Sequence, residues 1–262
     1  MSLLTTPVFY PINHKILLLF IISIFAFSCD PDITLEMTSE SLTENELDIC
    51  EDQRCPEITI NYLTASGDNT VAEKINKKIK NFIIGSLMFD EDSSETAQSI
   101  NEAATNFAKV YFEDLSQFPD MAADYSAIIS VNENFTSPTL ISFELSQYLY
   151  TGGAHGYGST SFLNIDPQTG EELSLDELIS NKEKFISLAE KEFRIQQNIK
   201  KTQSINDLGF WFDEDTFHLP ETVGFTSDSL IFIYNQYDIA SFADGPIELK
   251  IAIKDAEPYL KK

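Results

Sequence analysis

The sequence predicts an α+β fold in which helices pack on a largely antiparallel sheet, arranged as two tightly joined lobes. Alternating apolar and polar residues, typical of strands, dominate residues 125–165 and 217–253. Apolar residues spaced three and four apart, typical of helices, dominate residues 70–115 and 174–203. Strands and helices are therefore segregated in blocks, which favours α+β over a fold of repeated strand-helix-strand units.

The N-terminal block begins with an alternating strand at residues 58–63, which ends in a turn. Thr70 and Glu73 form a capping-box pattern, which predicts that a helix starts there. The same periodicities define the elements that follow. We expect a second helix at residues 94–115, a hairpin of strands at 125–131 and 141–150, and a strand at 160–165.

The C-terminal block begins after a turn at residues 166–170 that contains Pro and Gly. Ser174 and Glu177 predict the cap of a short helix, and a longer helix follows at residues 182–203. We expect strands at residues 217–225, 230–235 and 247–253.

Residues 1–28 have the pattern of an export signal. Lys15 precedes the apolar residues 16–27, a run of the length found in signal peptides. A membrane-spanning helix needs roughly 20 apolar residues, so this run is too short. The residues before Cys29 are similar to the lipobox of bacterial lipoproteins, although Phe27 departs from its strictest form. We therefore predict a lipoprotein signal peptide and lipid attachment at Cys29; the alternative is an uncleaved anchor beside a coincidental cysteine.

The composition changes abruptly after Cys29. Residues 29–56 are rich in Asp, Glu, Ser and Thr without a sustained apolar period, so we expect an acidic flexible tether. The remaining length suits one domain or two joined lobes. We place the N-terminal lobe at residues 57–150 and the C-terminal lobe at residues 151–262.

The chain is strongly acidic, with 17 Lys and Arg against 42 Asp and Glu. Removal of residues 1–28 removes only Lys15, so the mature chain has 16 basic and 42 acidic side chains, a net charge of −26. This charge repels phosphate backbones and excludes nucleic acid as a partner. It attracts cationic partners, or alternatively serves only to keep the protein soluble.

Cys50 and Cys55 remain as a pair once Cys29 carries the lipid. In an oxidising compartment, a pair with this close spacing predicts a small disulfide loop. A zinc site is the weaker alternative, because no second cysteine pair and no nearby histidine completes four ligands.

The most distinctive segment is residues 148–158, which contains three tyrosines, four glycines and one histidine. Glycines let a partner's backbone approach, and tyrosines supply contact area at low entropic cost. The segment predicts a partner-binding surface, although the same glycines also suit a bulge or a turn. The candidate partner-binding residues are Tyr150, Gly152, Gly153, His155 and Tyr157, with Tyr237 as a neighbour from a second segment that ends at Gly245-Pro246.

Catalytic, metal and cofactor sites lack support in the sequence. His155 and His218 are the only histidines after the predicted signal peptide, and neither has the spacing of a metal ligand. No Gly-x-Ser-x-Gly segment supports a serine triad around His155. The acidic groups at residues 171–172 and 213–215 are more typical of solvated loops than of glycosidase or calcium sites. We therefore predict no enzyme activity, no metal and no cofactor.

Several short blocks resemble one known domain family. They are residues 150–156 (Tyr-Thr-Gly-Gly-Ala-His-Gly), the turn at 166–170, residues 173–178 (Leu-Ser-Leu-Asp-Glu-Leu) and the segment from Tyr237 to Gly245-Pro246 with the final strand. In this order and spacing they resemble the extracytoplasmic domain shared by the lysozyme-sensing anti-sigma factor RsiV and the peptidoglycan deacetylase PdaC. The resemblance covers residues 55–262 and implies an α+β module in two parts, which in RsiV binds lysozyme.

Departures from that family restrict what the resemblance implies. We find neither a sigma-binding segment with its transmembrane helix nor a separate deacetylase domain, so only the binding module is carried over. We predict a lipid-anchored, non-enzymatic binding protein of a Gram-negative cell envelope, on the periplasmic face or at the cell surface. Its expected partner is lysozyme or another cationic envelope protein. The alternatives are a peptidoglycan- or glycan-binding module that uses the same tyrosines, and an envelope hydrolase with His155 as base.

Overall fold

The computed structural model describes residues 35–88, 97–119 and 123–261, which belong to one compact unit. The predicted signal peptide, the predicted lipidation site Cys29 and the first residues of the predicted tether lie outside these ranges. Within the described residues, no helix combines the length and the apolarity needed to cross a membrane.

Five strands form the larger sheet, and their order in the sheet is their order in the chain. Neighbouring strands are antiparallel except the second and third, which run parallel because two helices connect them. The strands are β1 (Leu35–Thr43), β2 (Glu57–Gly67), β3 (Ser126–Ser137), β4 (Leu140–Tyr150) and β5 (Tyr157–Ile165). The connecting helices are α1 (Asn69–Ser86) and α2 (Ile100–Gln117).

Each of the two connecting helices begins at a side-chain cap. Asp68 accepts hydrogen bonds from the backbone N–H groups of Thr70 and Val71 at the start of α1. Ser99 accepts one from the N–H of Glu102 at the start of α2. The helix predicted to begin at Thr70 is therefore present, but its cap is Asp68.

The C-terminal part adds a three-stranded antiparallel sheet and, among the described residues, three helices. The strands are β6 (Gly224–Phe225), β7 (Ser229–Tyr234) and β8 (Ile247–Ala252). The helices are α3 (Leu175–Leu178), α4 (Lys182–Gln196) and α5 (Ile253–Ala256). Helices packed on a mostly antiparallel five-stranded sheet and on a second sheet confirm the predicted α+β class.

The described residues contain two hydrophobic cores. The first lies between α1, α2 and the larger sheet, and it includes Phe107 and Phe143, each fully buried. The second lies between α4 and the smaller sheet, and it includes Phe193, which is also fully buried. β5 pairs with β4 along its whole length and belongs to the first core. Apart from Leu140 and the half-buried Phe135, the residues of the second core follow residue 165, so the change from one core to the other lies there and not between residues 150 and 151 as predicted.

The predicted flexible tether is structured from residue 35 onward. β1 pairs with β2 along its whole length, Leu47 is buried in the first core, and Cys50 and Cys55 are joined by a disulfide. The prediction of a tether was therefore wrong for residues 35–56. An edge strand carries many polar residues, so its composition resembles that of a flexible segment.

Two elements are shorter than predicted. The second predicted helix of the C-terminal block ends at Gln196, because the chain takes a left-handed φ of 59° at Asn198. The strand predicted at residues 217–225 is only two residues long. Pro220 has no N–H to donate to a strand ladder, which excludes most of that segment from a sheet interior.

Side-chain amides cover three unpaired stretches of strand edge. In each case the amide oxygen accepts from the backbone N–H of a strand residue, and the amide nitrogen donates to the C=O of the same residue. The pairs are Asn76 with Ala65, Asn235 with Thr160 and Gln196 with Lys250, at 2.7–3.1 Å. Each amide takes the place of a neighbouring strand, and this protects the edge from association with another sheet.

Asn235→Ala is expected to lower the free energy of unfolding by about 1–3 kcal/mol, because both backbone groups of Thr160 lose their partner. Urea denaturation measures the difference. Asn132→Ala, at an exposed position of β3, is the matched control and should change stability by less than about 0.5 kcal/mol. Equal losses in the two variants would show that the Asn235 amide does not stabilise the edge.

Candidate functional site

Three rings from two segments of the chain meet beside the turn between β4 and β5. The ring of His155 stacks on that of Phe242, with centroids 3.6 Å apart and 19° between the ring planes. The ring of Tyr237 lies 6.5 Å from that of His155 and 5.8 Å from that of Phe242. The Oη atom of Tyr237 is 3.5 Å from Nε2 of His155. We call these three residues the aromatic cluster.

The turn at residues 151–156 places His155 in the aromatic cluster. Gly152 and Gly153 have φ angles of 98° and 92°, left-handed values that favour glycine. The hydroxyl of Tyr150 donates to the C=O of Gly153 at 3.1 Å and closes the turn. Three of the predicted site residues, Tyr150, Gly152 and Gly153, therefore shape the loop that presents His155.

A second turn presents Tyr237. The backbone N–H of Asp238 donates to the C=O of Asn235, and the carboxylate of Asp238 accepts from the N–H of Asn235 at 2.7 Å. Tyr237 has a φ of 73°, which is uncommon for a residue other than glycine. Such a conformation costs of order 1–3 kcal/mol and is concentrated at functional sites. The fold thus holds the Tyr237 side chain outward, 53% exposed.

Tyr148 and Tyr157 project from opposite faces of the larger sheet. Tyr148 lies opposite Gly158 in the ladder and Tyr157 lies opposite Leu149, so the alternation of side chains separates them. A Cβ atom on Gly156 would lie 2.5 Å from Cζ of Tyr148, so the absence of a side chain there makes room for this ring. Tyr148 is therefore packed against Gly156, the residue after His155, and Tyr157 points to the opposite face.

Two aromatic residues of this surface, Phe242 and Trp211, were not among the residues predicted for the site. Phe242 lies in the segment that supplies Tyr237, but a single phenylalanine in a turn gives no signal that it stacks on a distant histidine. Trp211 is 45% exposed, and its Nε1–H donates to the C=O of Asp238 at 3.2 Å. Trp211 is the only tryptophan of the chain, and that rarity is the one signal that could have drawn attention to it.

The segments that build this surface lack basic residues. Residues 110–181 contain 11 Asp and Glu and no Lys or Arg, and residues 202–249 contain nine Asp and Glu and again no Lys or Arg. Asp238 and Asp244 are exposed and cap the turns that carry Tyr237 and Phe242. The aromatic cluster is therefore built from chain segments that carry negative charge and no Lys or Arg.

The adjacent carboxylates at residues 171–172 are bound to lysines of α1. Glu171 accepts from Lys74 at 2.5 Å, and Glu172 accepts from Lys78 at 3.0 Å. The hydrogen bond from Lys74 holds the pKa of Glu171 below its ordinary value. These contacts fix the turn after β5 to α1 and give both carboxylates a structural role.

The acidic group at residues 213–215 and His218 also have structural contacts. Asp215 accepts from the hydroxyl of Ser204 and from the backbone N–H of Asn206. The C=O of His218 accepts from the hydroxyl of Tyr234 at 2.6 Å. In the part of the chain that the structure describes, no three His, Cys, Asp or Glu side chains are grouped as metal ligands.

Family models match both parts of the chain. Residues 49–157 match the model described as deacetylase PdaC, and residues 174–254 match that of DUF3298, a family described as proteins of unknown function. None of the curated proteins matches the chain.

Two solved structures share the fold. A member of the DUF3298 family from Bacteroides fragilis NCTC 9343 has a TM-score of 0.69 and 24% identity, over 88% of this chain and 95% of that chain. A DUF3298 family protein from Pseudomonas aeruginosa PAO1 has a TM-score of 0.58 and 20% identity, over 87% of this chain and 94% of that chain. The matches to the family models confirm the resemblance drawn from the short sequence blocks. The two matched regions follow one another along the chain, PdaC at residues 49–157 and DUF3298 at residues 174–254, and this arrangement is consistent with a PdaC/DUF3298-type domain.

Proposed function

We propose that this protein is a lipid-anchored, non-enzymatic receptor of the bacterial cell envelope that binds a cationic protein of the lysozyme type through the aromatic cluster. The observation that carries the proposal is an exposed aromatic surface built from chain segments without Lys or Arg. The sequence resemblance to a lysozyme-sensing domain supports the same class of partner. Lipid attachment at Cys29 would hold the receptor at the membrane.

The rings and the carboxylates of this surface would contribute differently to binding. A lysine or arginine over the face of an aromatic ring gains about 0.5–2 kcal/mol, with the larger values when the contact is desolvated. Acidic residues around the rings speed association with a basic protein, but their effect weakens with salt. Tyr237 offers the area that a partner would bury, as expected of a residue that dominates binding energy.

The carboxylates of the two turns suit a fixed electrostatic role better than proton transfer. Asp244 accepts from both the N–H and the hydroxyl of Ser241. Asp238 accepts from the N–H of Asn235. A general base must reach the proton that it abstracts, whereas these groups already cap their own turns. Their negative charge remains available to a cationic partner.

Tyr237→Ala is expected to weaken binding of lysozyme by at least about tenfold, because it removes a ring of the aromatic cluster that is 53% exposed. The measurement is calorimetric titration of residues 30–262 with lysozyme at low and at physiological salt. The wild-type chain should bind one lysozyme at both salt concentrations. Phe118→Ala removes a ring that is 56% exposed outside the aromatic cluster, and it should leave the affinity unchanged.

Two results would contradict the proposal. If alanine at Tyr150, Tyr157 and Tyr237 together left the affinity unchanged, this surface would not be the binding site. If the wild-type chain bound lysozyme only at low salt, or not at all, the acidity would serve solubility and the receptor proposal would fail. The glycan-binding alternative would then be the better account of the exposed tyrosines.

A further inference from the structure

The larger sheet carries two rows of side chains that cross all five strands on one face. Residues that are paired in neighbouring strands lie on the same face, and residues two positions apart in one strand do so as well. The first row is Ser41, Asn61, Ser130, Ser146 and Thr160. The second row is Thr43, Thr59, Ile128, Tyr148 and Gly158. We call these ten residues the sheet platform.

The sheet platform is open to solvent. Its residues are exposed or half-buried, and Ile128 and Tyr148 are each 42% exposed. The helices cover the opposite face, where Ala127 and Ile129 are fully buried. The smaller sheet packs on the same face but further along the strands, where the N–H of Phe225 donates to the hydroxyl of Ser142. The two rows lie beyond this contact, and the C-terminal part reaches them at Thr160, whose backbone is bonded to the amide of Asn235.

The sheet platform contains no Asp, Glu, Lys or Arg, in a chain of which 23% of residues are charged. On this face the next charged side chains are Glu57, beside Ser126, and Glu144. Each has a partner, since Glu57 accepts from the hydroxyl of Ser126 and Glu144 accepts from the amide of Asn134. Exposed surfaces of acidic proteins ordinarily carry charge for solubility, so an open face without charge indicates a ligand that is also uncharged.

The chemistry of the two rows fits a chain of sugars. Hydroxyl and amide side chains both donate and accept hydrogen bonds, as sugar hydroxyls do. Neighbouring strands are about 4.8 Å apart, so five strands present these groups at regular intervals over roughly 19 Å. Tyr148 and Ile128 add an apolar patch in the adjacent row, against which the C–H face of a sugar ring can pack.

We propose that the sheet platform binds an uncharged glycan chain laid across the strands. The proposal uses residues other than the aromatic cluster and does not depend on a cationic partner. A neutral ligand gains nothing from long-range attraction, so its affinity is expected to be the same at low and at physiological salt. This separates glycan binding from the binding of a basic protein.

The test is calorimetric titration of the full chain with chitohexaose, an uncharged oligosaccharide of N-acetylglucosamine. Asn61→Asp keeps the size of the side chain but places a charge in the first row, and it should weaken binding by at least about fivefold. Tyr148→Ala removes the aromatic ring of the apolar patch and should weaken binding by about tenfold. Asn101→Asp makes the same chemical change at an exposed position on α2 and should leave the affinity within about twofold of the wild-type value.

Saturable binding that Asn61→Asp weakens and Asn101→Asp does not would establish the sheet platform as a glycan site. Two outcomes would overturn the proposal. One is no saturable binding of chitohexaose by the wild-type chain up to millimolar concentration. The other is binding that both platform variants leave unchanged, which would place the ligand elsewhere. Asn61→Asp changes no residue of the aromatic cluster or of its turns and should leave lysozyme binding unchanged, so the two proposals can fail independently.

Discussion

Phe193→Ala is expected to lower the free energy of unfolding by about 3–5 kcal/mol, the range for deleting a fully buried phenylalanine ring. Phe193 is completely buried on α4, and its ring centroid lies 5.3–5.8 Å from those of four other aromatic residues. They are Phe210, Phe212, Phe217 and Tyr234. Removal of the Phe193 ring leaves a cavity, which the neighbouring residues can fill only if several rings move. The cavity should therefore persist. The loss is therefore expected near the upper part of the range.

Urea denaturation of the two chains measures this loss. Ile195→Ala is the matched control, because Ile195 lies two positions along the same helix and is 58% exposed. It should change stability by less than about 0.5 kcal/mol. If Phe193→Ala cost no more than Ile195→Ala, the second core would not be packed around this ring.

The elements that could be predicted from the sequence are those with one buried face. In β3, Ala127, Ile129 and Val131 are buried while Ile128 and Asn132 are exposed, so the alternation is visible in the chain. The same is true of the apolar positions of α1, which recur at helical spacing. In such elements the pattern of burial is itself the signal.

The elements that could not be predicted depend on partners distant in the chain. β1 has the sequence Leu-Glu-Met-Thr-Ser-Glu-Ser-Leu-Thr, in which only three residues are apolar, and pairing with β2 along its whole length makes it a strand. β6 consists of two residues, Gly224–Phe225, which are too few to show any period. The composition of β1 therefore predicted a tether, and the periodicity around β6 predicted a longer strand. Neither property contains information on which strands pair.

The candidate site divides in the same way. The loop around His155 and the segment around Tyr237 were both distinctive by composition, so their residues were named from the sequence. The stacking of Phe242 on His155 and the position of Trp211 depend on the packing of the C-terminal part and leave no local pattern. The sheet platform is still less visible, since its residues become a row only when the register of five strands is known.

The contact between the two sheets leads to the other large expected effect. Gly224 of β6 packs against the ring of Phe162 on β5, which is buried. A Cβ atom on Gly224 would lie 2.5 Å from Cδ1 and 2.7 Å from Cζ of that ring. Gly224→Ala is therefore expected to lower the free energy of unfolding by about 3 kcal/mol, at the upper end of the range for overpacking, because a buried ring cannot swing into solvent.

A double-mutant cycle with Phe162→Val tests the cause of that loss. Without the ring there is space for the added methyl group, so Gly224→Ala should cost less than about 1 kcal/mol in the Phe162→Val background. Gly85→Ala is the control, because Gly85 lies near the end of α1 and an added Cβ atom there would have nothing within 4 Å. This substitution should raise the free energy of unfolding by up to about 1 kcal/mol, an effect of opposite sign. An equal loss from Gly224→Ala in both backgrounds would mean that backbone conformation, and not the contact with Phe162, requires glycine at the junction of the sheets.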